Sequence, residues 1–169
     1  MDPHLATLQR AIASAIDGLS AEQLAWHPPQ KWCAAEILEH LYLTYTGTIK
    51  GFGRVLAAGQ PLAAKPTWKN RAQALIVVGF GYLPSGRKAP AHAQPRGLPS
   101  PQAASAIAAK IAEMDEVIAR CQEKFGPRVK VLDHPFLGPF STSQWRKFHL
   151  VHGLHHVKQI QTLRSQMSS

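Results

Sequence analysis

Phe148-His149-Leu150-Val151-His152-Gly153-Leu154-His155-His156-Val157-Lys158-Gln159-Ile160 is the stretch whose reading decides the fold. It carries four of the chain's nine histidines. At about 100° per residue, Trp145, His149, His152, His156, Ile160 and Leu163 share one helical stripe. The charged Arg146, Lys147, Lys158 and Arg164 fall away from it. A helix buries such a stripe against its neighbours. The inward line of this helix therefore holds three histidines where Leu or Ile would ordinarily sit. His152 and His156, one turn apart, can converge on one point. Two ligands do not make a metal site, so the rest of the chain must supply a third.

Working outward from that helix, the pattern is helical throughout. Leu5, Leu8, Ile12 and Ile16 mark an amphipathic helix over 4–17, and Ser20 to Leu24 reads as a short helical turn stopped by Pro28-Pro29. A long helix follows over 34–58, with Cys33 at the cap and Glu36 three residues on, the spacing of a capping box with an unusual capping residue. Its apolar arc runs through Ile37, Leu41, Tyr45, Thr48, Phe52 and Val55. His40 lies at the edge of that arc, with Gly47 and Gly51 stacked on its side and Lys50 and Arg54 flanking them. Glycine costs helix stability, so the pair suggests a space left open with a cationic mouth.

A third helix is expected over 68–82, with a strand at 75–78 as its alternative. Residues 83–99 form a loop rich in proline, glycine and basic residues. Ser100-Pro101 opens a helix to about Phe125, with Ser100 as its cap, and Gly126-Pro127 ends it. Residues 134–140 read as a tight connection. Ser141 and Gln144 form a capping box for the last helix. The expected fold class is all-α: a four-helix bundle with an additional short helix and long loops, as one domain over 1–169.

Composition narrows the function classes. No apolar run reaches the length that spans a bilayer, and the N-terminus lacks a signal-peptide pattern, so the cytoplasm is the default location. Cys33 and Cys121 form no C-x-x-C pair and no disulfide framework. The net charge of +9 is uneven: no acidic residue lies between His40 and Ala112, while nine basic residues do. That asymmetry favours an anionic partner. The basic residues are scattered and carry no recognisable nucleic-acid motif, so a small anionic molecule is preferred to nucleic acid.

Bundles build metal sites from side chains on facing helices, and here His40 can join His152 and His156. Three imidazoles suit Zn, Ni, Cu or Fe(II), and three protein ligands with an open position is the pattern of a catalytic site. The competing reading keeps all three as neutral, hydrogen-bonded core histidines. His149 faces inward as a fourth ligand, a supporting partner or a proton shuttle. His155 lies on the flank, and Gln159 is placed to orient a ligand imidazole. Glu36, Tyr42, Tyr45 and His149 are the candidate bases, because the H-E-x-x-H glutamate of metalloproteases is absent. Lys50, Arg54 and the loop from Arg87 to Arg96 are candidates for an anionic substrate. Leu150, Val151 and Leu154 suggest a homodimer contact.

Two of these segments also resemble a known family. Trp32-Cys33-Ala34-Ala35-Glu36-Ile37-Leu38-Glu39-His40-Leu41 resembles the W-S-x-x-E-x-L-x-H-L signature of the DinB-like superfamily of metalloenzymes. His152-Gly153-Leu154-His155-His156-Val157-Lys158-Gln159-Ile160 resembles its H-x-x-H-H-x-x-Q-I segment, and 141–145 resembles an uncharacterised bacterial branch. The resemblance implies a four-helix bundle, often dimeric, whose divalent-metal ligands match His40, His152 and His156. It also implies transfer of a low-molecular-weight thiol or, in other members, metal-dependent hydrolysis. Cys33 departs from the family's usual serine at the cap. Three functions follow as expectations: thiol transfer to a small electrophile, hydrolysis of an amide or ester, and a non-enzymatic metal-binding or ligand-binding bundle docking an acidic partner.

Overall fold

The computed structural model describes residues 1–81 and 89–167. Six α-helices and one two-stranded sheet follow in chain order: α1 (Pro3–Ile16), α2 (Ala21–Ala25), α3 (Ala34–Ala58), α4 (Trp68–Ala74), α5 (Ser100–Phe125), β1 (Lys130–His134), β2 (Gly138–Ser141) and α6 (Thr142–Met167). The fold is mainly α, and four long helices form its body. α3 lies along α5, α1 lies along α6, and α3 touches α6 across the middle. Leu5, Leu8 and Ile12 of α1, Leu38 and Phe52 of α3, Ile111 and Ile118 of α5, and Ile160 of α6 share one buried apolar cluster.

The helix starts are chemical. Asp2 accepts the His4 N–H and Pro3 supplies a preset φ at the first turn of α1. Ser20 with Gln23, and Thr67 with Asn70, close reciprocal capping boxes. Cys33 does the same for α3: its Sγ accepts the Glu36 N–H at 3.4 Å while Glu36 accepts the Cys33 N–H at 2.8 Å. At α6 the Ser141 N–H donates to Gln144 and the Gln144 N–H donates to Ser141. Gly59, in the left-handed region at φ 69°, ends α3.

Three expectations need correction. The helix expected over 68–82 is α4 followed by a π-helical turn, Leu75–Gly79, and is not a strand; Tyr82 lies outside the described residues. α5 begins at Ser100 itself, behind Pro99, so Ser100 is not the cap. The connection expected at 134–140 is part of an antiparallel hairpin that pairs Leu132 with Phe140 and His134 with Gly138. Pro139 and Gly138 hide that strand from any propensity reading.

Two glycines set how closely elements approach. Gly153 of α6 faces Leu8, which occupies the space a side chain would need, so α1 packs directly on the α6 backbone. Gly51 of α3 is not left open, as its stacking under His40 suggested: a Cβ there would lie 2.6 Å from Leu132 Cδ2, and β1 packs on that bare backbone. Gly47, by contrast, meets nothing within 4 Å and lines open space. Leu150 and Val151, two of the three residues expected at a homodimer contact, are partly buried and pack against the core cluster.

Arg146, expected at the surface, is buried. Its guanidinium meets Asp115 at 2.9 Å and Gln122 at 2.6 Å, with Asp2 3.7 Å away. Asp115 also accepts the Asp2 N–H at 2.7 Å, so one carboxylate joins α1, α5 and α6. Asp115→Ala strands a buried cation and is expected to cost about 3 kcal/mol. That lowers Tm by roughly 6–12 °C, whereas the joint replacement Asp115→Leu, Arg146→Met restores most of the loss. Thermal melts of the two variants beside the parent protein check both statements.

Candidate metal centre

α3 and α6 cross where His40 faces His152 and His156. His40 is placed by the first turns of α3, anchored through the Cys33–Glu36 cap. The other two lie one turn apart on α6, whose depth is fixed by Gly153 against Leu8. His40 Nε2 is 3.3 Å from His152 Nε2, and His156 Nε2 is 3.1 Å from the same atom. One ligand atom from each residue lies within 4.8 Å of the others. The edge of a tetrahedral site with metal–nitrogen bonds of about 2.0–2.1 Å is roughly 3.3 Å, so both short separations match it.

The outer nitrogens fix the tautomers. His40 Nδ1–H donates to the Ala93 carbonyl at 2.7 Å, and His156 Nδ1–H donates to Gln159 Oε1 at 2.8 Å. Their Nε2 atoms are therefore bare lone pairs. His152 Nε2 faces both, and its Nδ1 is sealed from solvent with no partner among the described residues. Without an ion, a hydrogen on His152 Nε2 can donate to His40 Nε2 or His156 Nε2. With an ion bound the hydrogen would sit on Nδ1, and three lone pairs would then aim at one point. That donor set, with backbone and amide acceptors behind it, fits a borderline divalent ion.

Electrostatics keep the trio neutral. Burial lowers the pKa of His40 and drives His152 well below its ordinary value, with the neighbouring imidazoles adding to the effect. Burial also lowers His156 to about 3, helped by the facing His40 and opposed by Gln159. Phe148 stacks on His152 with ring centroids 5.5 Å apart, and Trp32 tilts over His40 at 5.4 Å.

The trio lines a cleft of about 1780 Å³ shared with Trp32, Gly47, Lys50, Arg54 and Phe148. Lys50 and Arg54 are exposed cations on its wall, as the sequence expected; Arg87 lies outside the described residues. Glu36 also lines the cleft, with one carboxylate oxygen engaged in the α3 cap. His149 and Tyr45 sit in the core and do not line it. His149 Nε2 lies 3.1 Å from Thr48 Oγ1, and its ring meets Tyr45 edge-on at 5.3 Å. Burial alone pushes the Tyr45 phenol up and holds His149 at about 3, with His134 contributing. Tyr42 lies elsewhere, under Lys110. His155 is reached by Gln159 Nε2 at 3.3 Å, so Gln159 bridges two histidines.

Three neighbours of the site went unforeseen. Ala93 contributes only a carbonyl, which no motif advertises. Glu39 accepts the backbone N–H groups of Arg96, Gly97 and Leu98 at 2.8–3.0 Å, tying down the loop that presents Ala93. The signal was there: Glu39 is the last acidic residue before the long acid-free span, and it sits beside His40. The third is His134, in β1, whose ring lines the same cleft.

Fold and cluster define a class: a mainly α-helical protein carrying a three-histidine group that could hold a metal ion. The chain belongs to a family of proteins of unknown function, DUF1569, whose profile matches residues 2–162 and so takes in all three histidines. No curated protein and no solved structure matches it. No helix among the described residues is long and apolar enough to cross a membrane.

The buried imidazoles set a pH dependence. Folded pKa values lie below the unfolded value of about 6.5, so the unfolded chain binds more protons between about pH 3 and 6.5. Stability is complete above that window and falls as pH drops through it. His149→Phe removes one such group and is expected to flatten the stability–pH slope between pH 6 and 4 by up to about 1.4 kcal/mol per unit. Melts of metal-free protein across that range measure it.

Proposed function

We propose that this chain is a divalent-metal-dependent enzyme of the DinB-like type, transferring a low-molecular-weight thiol to a small electrophile. The observation that carries the proposal is the convergence of three neutral Nε2 atoms at a cleft wall, each turned inward although His152 thereby leaves its Nδ1 without a partner. Zn, Ni or Fe suits three imidazoles. Bound there, such an ion supplies a Lewis acid that draws a thiol or a water toward its deprotonated form.

The chain's own residues do the rest. Ala93 and Gln159 hold two imidazoles in the tautomer that offers Nε2. Lys50 and Arg54 give the cleft a cationic wall that favours an anionic substrate. Phe148 and Trp32 cover the faces of His152 and His40 and exclude water from them. The order of the two histidine motifs and the bundle that joins them support the DinB-like assignment. Thiol transfer is favoured because it needs no protein base, and the inward His149 and Tyr45 do not reach the cleft.

Hydrolysis is the second reading, and one observation favours it. Glu36 lines the cleft, and its second carboxylate oxygen has no partner among the described residues. A substrate panel separates the two: turnover only with an added thiol supports transfer, and turnover in water alone supports hydrolysis.

Metal analysis of untagged protein is expected to find close to one divalent ion per chain. Added Zn or Ni is expected to raise Tm through its binding energy, about 2.7 kcal/mol at a hundredfold excess over Kd. His152→Ala abolishes both effects. Gln159→Leu leaves the His156 Nδ1–H without its acceptor and weakens metal affinity by about 10–100-fold. Metal-free protein with no thermal response to added ions overturns the proposal.

A further inference from the structure

His134 stands apart from the trio, yet its chemistry is as tightly set. The hairpin folds back so that the backbone N–H groups of Phe136 and Leu137 both donate to His134 Nδ1, each at 3.2 Å. Nδ1 is thus a committed acceptor, and the ring's one hydrogen must sit on Nε2. That Nε2–H finds no partner among the described residues, and it is not among the polar atoms sealed from solvent. The ring is wedged against Phe148 at 4.4 Å, Trp145 at 5.5 Å and Phe140 at 5.7 Å, so it has little freedom to turn. Burial lowers its pKa to about 4, which keeps the imidazole neutral near pH 7.

A rigid, neutral donor that opens on a cleft can hold a water there and exchange it for a ligand oxygen. Its position relative to the trio says what kind of ligand. Phe148 is the ring between them, 4.4 Å from His134 and stacked at 5.5 Å on His152. The cleft is lined by all of them, and Lys50 and Arg54 belong to the same lining.

We propose that His134 is a ligand-binding residue: its Nε2–H receives the distal carboxylate or carbonyl oxygen of a ligand that lies along the cleft lining beside Phe148 with its other end at His40, His152 and His156. The ligand class is a short molecule bearing an anionic donor at one end, an apolar middle and an oxygen acceptor at the other. This rests on the metal-site reading for the near end only. The hairpin anchor and the free donor hold without it.

Two replacements dissect the ring. Asn places an oxygen where Nδ1 accepts the hairpin N–H groups but offers no distal donor. Gln reaches to the Nε2 position with an N–H but abandons the hairpin. The first measurement uses metal-free protein: side-chain ¹⁵N spectra at pH 6–8 are expected to show His134 as the Nε2–H tautomer. The Nδ1–H tautomer, or a charged ring, overturns the proposal.

The second uses Co(II)-loaded protein, titrated with linear dicarboxylates from malonate to suberate and with monocarboxylates of equal chain length, read by visible absorption. One chain length is expected to bind about tenfold tighter as the dicarboxylate. His134→Asn abolishes that advantage while cobalt stoichiometry is unchanged, and His134→Gln keeps part of it. An advantage that survives His134→Asn, or that is lost only with Lys50→Ala and Arg54→Ala, overturns the assignment to His134. Failure to bind cobalt at all overturns the metal reading instead, leaving the tautomer measurement to judge the free donor.

Discussion

Three imidazole nitrogens converging on one another inside a protein are a constraint that their surroundings must satisfy. Each imidazole has one hydrogen and one lone pair, and burial has removed water from the trio as an alternative partner for most of these groups. The structure answers at the outer edge. Ala93 takes the hydrogen of His40, and Gln159 takes that of His156. Only His152, the middle member, has no answer behind it. The pKa depressions follow from the same burial: a cation on His152 or His156 would lose its water and lie against neighbouring imidazoles.

Holding Ala93 in place falls to the residue beside His40. Glu39 and His40 are neighbours on α3, and both grip the segment that precedes α5. One takes three backbone N–H groups and the other one carbonyl. A buried carboxylate that accepts three N–H hydrogens is well satisfied, so the loop is tied by interactions that do not depend on the histidine. The stretch that holds the 3-10 turn Ala91–Ala93 thereby becomes a fixed wall of the site. Position 39 is thus a structural support for position 40 through a loop more than fifty residues away.

Much of this was legible in the sequence because periodicity carries it. The four long helices, the caps at Cys33 and Ser141, and the approach of His40 to His152 and His156 all follow from 3.6-residue spacing and capping chemistry. What escaped is what periodicity does not encode. The hairpin around His134 is built from short strands containing Pro139 and Gly138, too brief to alternate. Arg146 reads as a surface charge on its own helix, and only the meeting of α1, α5 and α6 supplies Asp115 and Gln122 to bury it. The two glycines under His40 looked alike, yet Gly47 faces open cleft and Gly51 faces Leu132. A glycine in a helix says that a side chain is unwanted, without saying whether the reason is a void or a neighbour.

His149 and His134, both outside the trio, show how one residue type divides the labour. His149 is wholly enclosed, joined to Thr48 and walled by Trp145 and Tyr45, with no route to the cleft. Its inward position on the α6 stripe made it a candidate base, but a base must meet its substrate, and this one meets core. His134 came from a segment that no stripe selected, and it keeps a hydrogen on the cleft wall. Direction on a helix therefore ranked these residues in the wrong order for contact with a ligand. On the inward stripe of α6, His152 and His156 line the cleft together with His40 of α3, and His149 does not. One turn earlier, at His149, the stripe leads to Tyr45 and Thr48 of α3. The boundary between site and core is set by which residues α3 presents at each level, and a histidine one turn out of place is a packing residue.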